Sequence, residues 1–197
     1  MNQPVLDAIR TRRVVRLLLD RPTDRELLEC VLDAGRWATS AGNRRPHRFV
    51  AVQDPLTLRA LRAVSPGMFQ RPSAVILICI DWDRVAQNQV SRNDKTLYID
   101  VGTAAQNMML AAHALGLASG PVTSFSKEGV QVVLNLPQQL SPEMFVCLGH
   151  PNTSVAEKRT RRKLSWQNIT DWERFPSATS QVIESKRDES GSERENT

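Results

Sequence analysis

The sequence predicts an α/β or α+β sandwich in which helices cover a single β-sheet. Three observations lead to this class: the almost wholly apolar run "SAVILICID", a long alanine-rich segment with helical spacing, and further apolar runs separated by helical patterns. With 197 residues, 41% of them hydrophobic, the chain can bury one sizeable core. The order of the strands is not readable from the pattern. We therefore expect one domain built around one sheet.

The first third of the chain predicts two helices and a strand. "PVLDAIRTRRVVR" has near-helical apolar spacing with Pro4 in the first turn, which indicates a short helix leading into a basic stretch. Thr23 is predicted to cap a second helix that ends near Trp37. "HRFVAVQD" predicts a strand bounded by Pro46 and Pro55.

The remaining elements alternate in the same way. "LTLRALRAV" predicts a short helix, and "SAVILICID" predicts a second strand, after which Asp81 and Asp83 look like a solvated strand end. The strongest helix lies between Asp94 and Gly116, with Gly116 as its C-terminal cap. "SKEGVQVVLNL" predicts a helix ended by Pro137, and "EMFVCLGH" predicts a third strand.

Composition sets the domain boundary and the compartment that we expect. The last segment, residues 176–197, is polar and serine-rich, so we predict an unpacked tail after a domain of residues 1–175. The sequence has no uncharged apolar run of about 18 residues, and its start lacks the apolar core of a secretory signal. We expect a cytoplasmic protein with no membrane partner.

The charge pattern argues against a nucleic-acid partner. The net charge of +5 is modest, and its surplus lies in the runs "RTRRVVR" and "KRTRRK" near the two ends of the chain. Each run alone is typical of a solvated face, whereas the two together would form an anion site if they met in the fold. A basic nucleic-acid-binding module is the alternative, and it would show strongly salt-dependent retention on DNA.

The sequence offers no catalytic dyad and no metal site. It contains no G-x-G, so neither a Rossmann fingerprint nor a Walker loop is present, and no serine lies in a G-x-S-x-G elbow. The histidines are scattered, and His113 on the alanine-rich helix is best explained as a satisfied core residue. The cysteines lie singly in apolar runs and predict reduced, buried thiols: Cys30, Cys79 and Cys147.

The order of several segments changes the interpretation of the basic runs. "AIRTRRVVR", "RWATSAGNRRPHRFVAVQD", "YIDVGTAAQNMMLAAHALGLASGPVTSF", "VVLNLPQQLSPEMFVCLGHP" and "RTRRKLSW" follow one another along the chain. In sequence and spacing they resemble the FMN-dependent nitroreductase family over all but the tail. The resemblance implies an α+β fold, a mainly antiparallel sheet wrapped by helices, and an intertwined homodimer with two FMN sites at the subunit interface.

The resemblance also implies which residues bind FMN. In the basic motif of residues 12–16, Arg12 and Arg13 hold the phosphate and ribityl end, and Arg16 approaches the pyrimidine edge, where a cation stabilises charge that develops on reduction. Val14 stands where the family usually has serine, so it offers only its backbone amide. The turn of residues 39–43 comes from the partner subunit, and the loop of residues 121–124 runs beside flavin N5. The further implied contacts are Thr39, Ser40, Ala41, Asn43, Pro121, Val122, Thr123, Ser124, and Arg159 and Arg161 at the phosphate.

The implied activity is a two-electron transfer in which the flavin, not a side chain, carries the chemistry. NADH or NADPH gives hydride to N5 and leaves, and a small electron-poor acceptor such as a nitroaromatic or quinone takes two electrons in its place. Arg45 and His47 replace common family residues, so we expect them to set substrate preference. Two alternatives stay open: a specialised oxygen-dependent or substrate-specific dehydrogenase, and a flavin-binding protein without turnover.

Overall fold

The computed structural model describes residues 3–154 and 165–175, and the chain forms two compact units, Met1–Ala156 and Glu157–Thr197. The first unit contains the sheet and its helices. In the second unit a 3-10 turn spans Trp166–Ile169, and the rings of Trp166 and Trp172 meet edge to face at 6.2 Å. The predicted tail lies outside the described residues, so the boundary at residue 175 stays a prediction.

In the described part of the chain, four antiparallel strands form one sheet in the order β1-β2-β4-β3. The strands are β1 His47–Val52, β2 Ala74–Asp81, β3 Ala118–Val122 and β4 Leu140–Gly149. All eight residues of β2 are buried, which confirms the strand predicted from "SAVILICID". Because these four strands pair with one another only in antiparallel fashion, the fold is α+β, as the resemblance implied.

Helices cover both faces of this sheet. They are α1 Pro4–Thr11, α2 Arg25–Arg36, α3 Pro55–Ala63, α4 Trp82–Gln87, α5 Thr96–Ala114 and α6 Lys127–Val133. Successive residues of a strand point to opposite faces. Ile76 and Ile78 of β2 therefore pack with α2 and α5, whereas Val75 and Leu77 pack with α3 and α6.

The helix α5 is the central helix that the alanine-rich segment predicted. Its buried residues include Ala104, Ala105 and Met108. After the helix, Gly116 adopts the left-handed φ of +75°, and its N–H donates to the His113 carbonyl at 3.1 Å, while the Leu117 N–H donates to the Ala112 carbonyl at 2.8 Å. This pair of bonds is a Schellman motif, which explains the glycine at the position predicted to end the helix.

Two local predictions were wrong because tertiary contacts decide them. Thr23 does not cap α2: its hydroxyl lies 2.6 Å from that of Ser73, and Asp24 occupies the cap position. Asp81 is not part of a solvated strand end, since it is buried and its carboxylate accepts the Arg84 N–H at the start of α4. The sequence analysis missed this six-residue helix.

Two further expectations need correction. The segment around "GPVTSF" is not entirely a loop, because Ala118–Val122 forms the edge strand β3. Proline is compatible with an edge strand, where its missing N–H breaks no ladder bond. Cys79 and Cys147 are free and buried as predicted, but Cys30 is exposed on α2.

Close packing of α2 against α5 gives a test of the core. A Cβ placed on Gly35 would lie 3.0 Å from Met108 Cγ and closer still to its methyl carbon, and Met108 is fully buried. We expect Gly35→Val to lower the free energy of unfolding by about 1–3 kcal/mol through overpacking, measured by urea denaturation. Cys30→Val places the same side chain at an exposed position of α2 and should change stability by less than about 1 kcal/mol; equal losses in both variants would contradict the packing.

Candidate functional site

The basic segment of residues 12–16 lies along the outer edge of β3. Val14 forms a parallel bridge with Ser119, and the Val15 N–H donates to the Ser119 carbonyl at 3.3 Å. Val14 Cγ1 lies 3.3 Å from the position that a Cβ on Gly120 would take. The absence of a side chain at Gly120 therefore lets the basic segment approach the sheet closely.

Arg12 and Arg13 differ in what their guanidinium groups do. Arg13 Nη1 donates to the carbonyls of Arg10 and Arg12, each at 2.7 Å, and so satisfies acceptors at the end of α1. Arg12 Nε and Nη1 are buried and have no hydrogen-bond partner among the described residues. A buried cation without a partner is costly, so Arg12 is the group best suited to receive an anion.

Gln70 is a candidate that the sequence analysis missed. It is 4% exposed, and its Oε1 has no hydrogen-bond donor among the described residues. Its Nε2 lies 3.5 Å from the position of a Cβ on Gly120, which places the amide beside the basic segment. An isolated glutamine in a loop gives no sequence signal, since only the folded chain buries it against β3. The free oxygen is suited to accept a bond from an N–H group of a ligand.

The residues predicted to lie beside N5 are at the end of β3. Val122 is its last residue and is buried, whereas Thr123 and Ser124 follow it and are exposed. The Ser124 carbonyl accepts the Gly67 N–H at 3.0 Å. The loop that carries Gln70 is therefore fixed to the end of the strand, and Pro121, also exposed, lies on the same strand.

The small-residue turn of residues 39–43 is attached to the first half of α5. The Ala41 N–H donates to the buried carboxylate of Asp100 at 3.0 Å, and Thr103 Oγ1 donates to the Thr39 carbonyl at 3.1 Å. Gly42 and Asn43 adopt left-handed φ values of +59° and +54°. Such backbone is strained for most side chains, and the two bonds to α5 hold it in place.

Arg45 and His47 follow this turn and differ in exposure. Arg45 is exposed and left-handed, with a φ of +50°. His47 is only 8% exposed, lies stacked on Phe49 with ring centroids 5.1 Å apart, and has no partner for Nδ1 among the described residues. Because His47 is buried, we expect any effect that it has on substrate preference within this chain to act through the position of the turn of residues 39–43.

Two of the predicted FMN segments, residues 12–16 and 39–43, attach near opposite ends of α5. The group around residues 12–16 is tied to the last turn of α5, where Thr11 Oγ1 and His113 Nε2 are 2.9 Å apart. The turn of residues 39–43 bonds to Asp100, near the start of α5. A helix rises about 1.5 Å per residue, so the two attachment points are about 20 Å apart along its axis. Arg16 is exposed, and Arg159 and Arg161 lie outside the described residues.

Among the residues that the structure describes, the buried thiols and the acidic groups form no second reactive centre. Burial raises the pKa of Cys147 to about 12, against a smaller lowering by a hydrogen bond with Gln70, and burial likewise raises the pKa of Cys79 to about 12. Within residues 3–154 and 165–175, no group of three or more His, Cys, Asp or Glu is placed to hold a metal ion. No helix in the described part of the chain is long and apolar enough to span a membrane.

A family model described as "Nitroreductase family" matches residues 9–74 and 64–150. The chain is 29% identical over 205 residues to an NADH dehydrogenase of Thermus thermophilus, covering 86% of this chain and 97% of that protein. It is 27% identical over 168 residues to an NADPH-flavin oxidoreductase of Vibrio harveyi, covering 80% and 70%.

A similar structure comes from Desulfovibrio desulfuricans, and that protein was solved in complex with FMN. It superposes with a TM-score of 0.70 and 28% identity, over 89% of this chain and 100% of that one. The two chains therefore share a fold.

The buried His47 predicts a pH dependence of stability. Burial is the largest cause that lowers its pKa from the ordinary 6.5, and Asp100 opposes it; Arg84 and Arg45 lower the pKa further. The unfolded chain therefore binds a proton more readily, so the stabilisation is complete above pH ~6.5 and is lost as pH falls towards the folded-state pKa. We expect urea denaturation to show this loss, by no more than about 1.4 kcal/mol per pH unit.

His47→Phe keeps an aromatic ring beside Phe49 but removes the titration. Its unfolding free energy should fall less steeply than that of the wild type between pH 7 and pH 5. Parallel curves for the two proteins would show that His47 is not the group responsible.

Proposed function

Because this chain belongs to the nitroreductase family, we propose that it is an FMN-dependent oxidoreductase that passes two electrons from NADH or NADPH to an electron-poor small molecule. The observation that carries the proposal is that Arg12 Nε and Nη1 are buried without a hydrogen-bond partner among the described residues, beside a strand edge that is open to close approach at Gly120. Two relatives support the same activity: one is named an NADPH-flavin oxidoreductase, and the other was solved in complex with FMN.

The residues of this chain fit FMN. Arg12 presents buried N–H donors that a phosphate would satisfy, and arginine's planar fork suits phosphate oxygens. The free Oε1 of Gln70 is suited to an N–H donor, which the pyrimidine edge of a flavin has. Both groups lie on the β3 side of the chain, so the phosphate and the ring edge would be held by elements that are fixed to one another.

We assign the remaining positions as the resemblance implies. Arg13 would join Arg12 at the phosphate and ribityl end, Arg16 would approach the pyrimidine edge, and Val14 would contribute backbone only. Pro121, Val122, Thr123 and Ser124 would line the flavin beside N5, while Arg159 and Arg161 would close around the phosphate. These roles are proposals.

We further propose that the active form is a homodimer in which the turn of residues 39–43 approaches the flavin of the partner subunit. The turn and the basic segment attach to α5 about 20 Å apart, which favours two copies of the chain around each flavin. The helix α1 supports this, because none of its residues is buried and its apolar side chains Val5, Leu6 and Ile9 are 67%, 42% and 51% exposed. A second copy would cover that face.

When bound, FMN would supply two-electron chemistry at N5, taking hydride from NADH or NADPH and reducing a nitroaromatic or quinone. The protein's part is to bind and orient the ring, to neutralise charge near its pyrimidine edge, and to shape the space above it. Arg45 and His47 remain the positions predicted to set which acceptor enters.

The absorption spectrum of the purified protein tests the proposed cofactor and activity. We expect a flavin spectrum that bleaches anaerobically when NADH or NADPH is added and recovers when a nitroaromatic or quinone follows. Aerobic donor oxidation that is no faster with a nitroaromatic or quinone than without one would indicate an oxygen-dependent enzyme instead. A yellow protein that never bleaches would indicate flavin binding without turnover, and a colourless protein that FMN does not reconstitute would contradict the proposal.

Arg12→Gln should weaken FMN binding by about tenfold or more, because a charge-assisted hydrogen bond contributes ~1.5–3 kcal/mol and ~1.4 kcal/mol is a factor of ten. Quenching of flavin fluorescence on titration with apoprotein measures the affinity. Since the loss concerns the phosphate, the variant should bind riboflavin, which has none, nearly as well as the wild type does.

Arg10→Gln provides the matched control, because Arg10 is exposed on the neighbouring turn of α1. It should bind FMN like the wild type. The Arg12→Gln apoprotein should be no less stable to urea, since Arg12 Nε and Nη1 have no partner to lose among the described residues. A variant that loses riboflavin and FMN equally would contradict a phosphate role for Arg12.

A further inference from the structure

Arg45 is held in one conformation by bonds at three of its atoms. Its N–H donates to Ser40 Oγ at 3.0 Å, its carbonyl accepts from Arg84 Nη1 at 3.3 Å, and its Nε donates to Asn43 Oδ1 at 3.1 Å. These bonds fix both the backbone and the plane of the guanidinium. Arg45 is also left-handed at a φ of +50°, a conformation with a cost for a residue that has a Cβ.

Within the part of the chain that the structure describes, the terminal nitrogens of Arg45 donate no hydrogen bond, and only its Nε does. Among the described residues no carboxylate pairs with Arg45, whereas Arg84 lies 3.6 Å from Asp81. The neighbouring Arg44 packs back over Gly42 and acts on Asp94, whose pKa is lowered mainly by the Thr96 N–H and to a lesser extent by Arg44. Arg45 is thus the guanidinium of this turn that is oriented and still able to form a bidentate pair.

The position of Arg45 connects it to the proposed flavin site. Ser40 and Asn43, the two side chains that it bonds, are both predicted flavin contacts. A molecule lying against that flavin would therefore be within reach of the same turn. The carboxylate of Asp100 is buried beneath the turn, whereas Arg44 acts on Asp94 and Arg84 lies 3.6 Å from Asp81. Among the described residues, Arg45 is therefore the cation of this turn that no carboxylate offsets.

We propose that Arg45 binds a carboxylate or phosphate group of the molecule that exchanges electrons with the flavin, which makes the site selective for anionic substrates. This inference rests on the proposed function and names the substrate class of that site. The anionic group is either a carboxylate or phosphate of the acceptor or the 2′-phosphate of NADPH. A carboxylate and a phosphate both present two oxygens that can accept a pair of parallel hydrogen bonds from the guanidinium. NADH and NADPH share a diphosphate, so the assignment concerns the 2′-phosphate alone. An uncharged acceptor reduced with NADH, which lacks that group, gains nothing from Arg45.

Arg45→Asn removes the charge and keeps a residue that tolerates the left-handed backbone. Arg48→Gln is the matched control, because Arg48 is exposed on β1 three residues further along. Holoenzyme turnover is measured first with the acceptor varied, either 4-nitrobenzoate or 4-nitrobenzamide, and NADH as the donor. It is then measured with the donor varied, either NADH or NADPH, and 4-nitrobenzamide as the acceptor. The kcat/KM of each varied substrate, four values in all, is compared for the wild type and both variants.

We expect Arg45→Asn to lower kcat/KM by about tenfold for one anionic partner, and by less than about twofold for 4-nitrobenzamide with NADH. Loss confined to 4-nitrobenzoate assigns the anion to the acceptor, and loss confined to NADPH assigns it to the donor. In a separate binding measurement without turnover, benzoate or NADP⁺ should perturb the visible spectrum of the oxidised wild type and of Arg48→Gln at lower concentration than that of Arg45→Asn.

Equal changes for charged and uncharged partners, or effects that match those of Arg48→Gln, would overturn the inference. In that case normal turnover of the wild type with 4-nitrobenzamide and NADH would leave the proposed function standing. Absence of flavin and of turnover in the wild type would remove the proposed function and this inference together.

Discussion

The packing of α5 is the constraint on which the rest of the molecule depends. This helix lies against the sheet on one side and against α2 on the other, and Gly35 permits the approach because a side chain there would collide with Met108. Its two ends carry different parts of the proposed site: the turn of residues 39–43 bonds to Asp100, and the basic segment reaches the region of His113. A rigid buried helix keeps these parts apart, so the arrangement favours a flavin site built by two copies of the chain.

The polar groups that lack partners mark where a ligand would stabilise the protein. Arg12 and Gln70 bury atoms without hydrogen bonds among the described residues, which destabilises the chain alone, and residues 42–45 include three left-handed backbones. The described chain has similar irregularities elsewhere, since Arg62 Nε and Ser65 Oγ are buried without partners and Gln89, Asn135 and Glu173 are left-handed. What distinguishes Arg12 and Gln70 is that the segments that carry them meet at Gly120 of β3, which leaves their polar atoms close to one strand edge, as in a binding site. Bound FMN would offset the cost at Arg12 and Gln70.

The sequence predicted those parts of the fold that have a strong local pattern. β2 was evident because every residue in it is apolar, and α5 because its apolar spacing extends over five turns and ends at a glycine. β3 was missed because Gly120 and Pro121 disfavour a strand locally, and only pairing with β4 forms it. The candidate site, too, was predicted in part. The arginines of residues 12–16 were recognised through the resemblance, but burial of Arg12, the engagement of Arg13 with α1 and the position of Gln70 all depend on contacts between distant segments. Exposure of Cys30 shows the same limit, since an apolar run does not say which face of a helix is covered.

Mixed dimers test the central claim most directly, namely that Arg12 of one copy and the turn of residues 39–43 of the other build each flavin site. Two variants are needed, Arg12→Gln and Thr39→Trp, whose bulky ring would block the exposed turn; each homodimer should first be shown to have lost tight FMN binding. Dimers carrying one copy of each variant are then purified through different affinity tags, and bound FMN is counted. The account predicts one tightly bound FMN per mixed dimer, because one site receives Arg12 and the turn intact while the other site receives both changes. Mixed dimers without tightly bound FMN would mean that both groups come from the same chain, and would contradict the account.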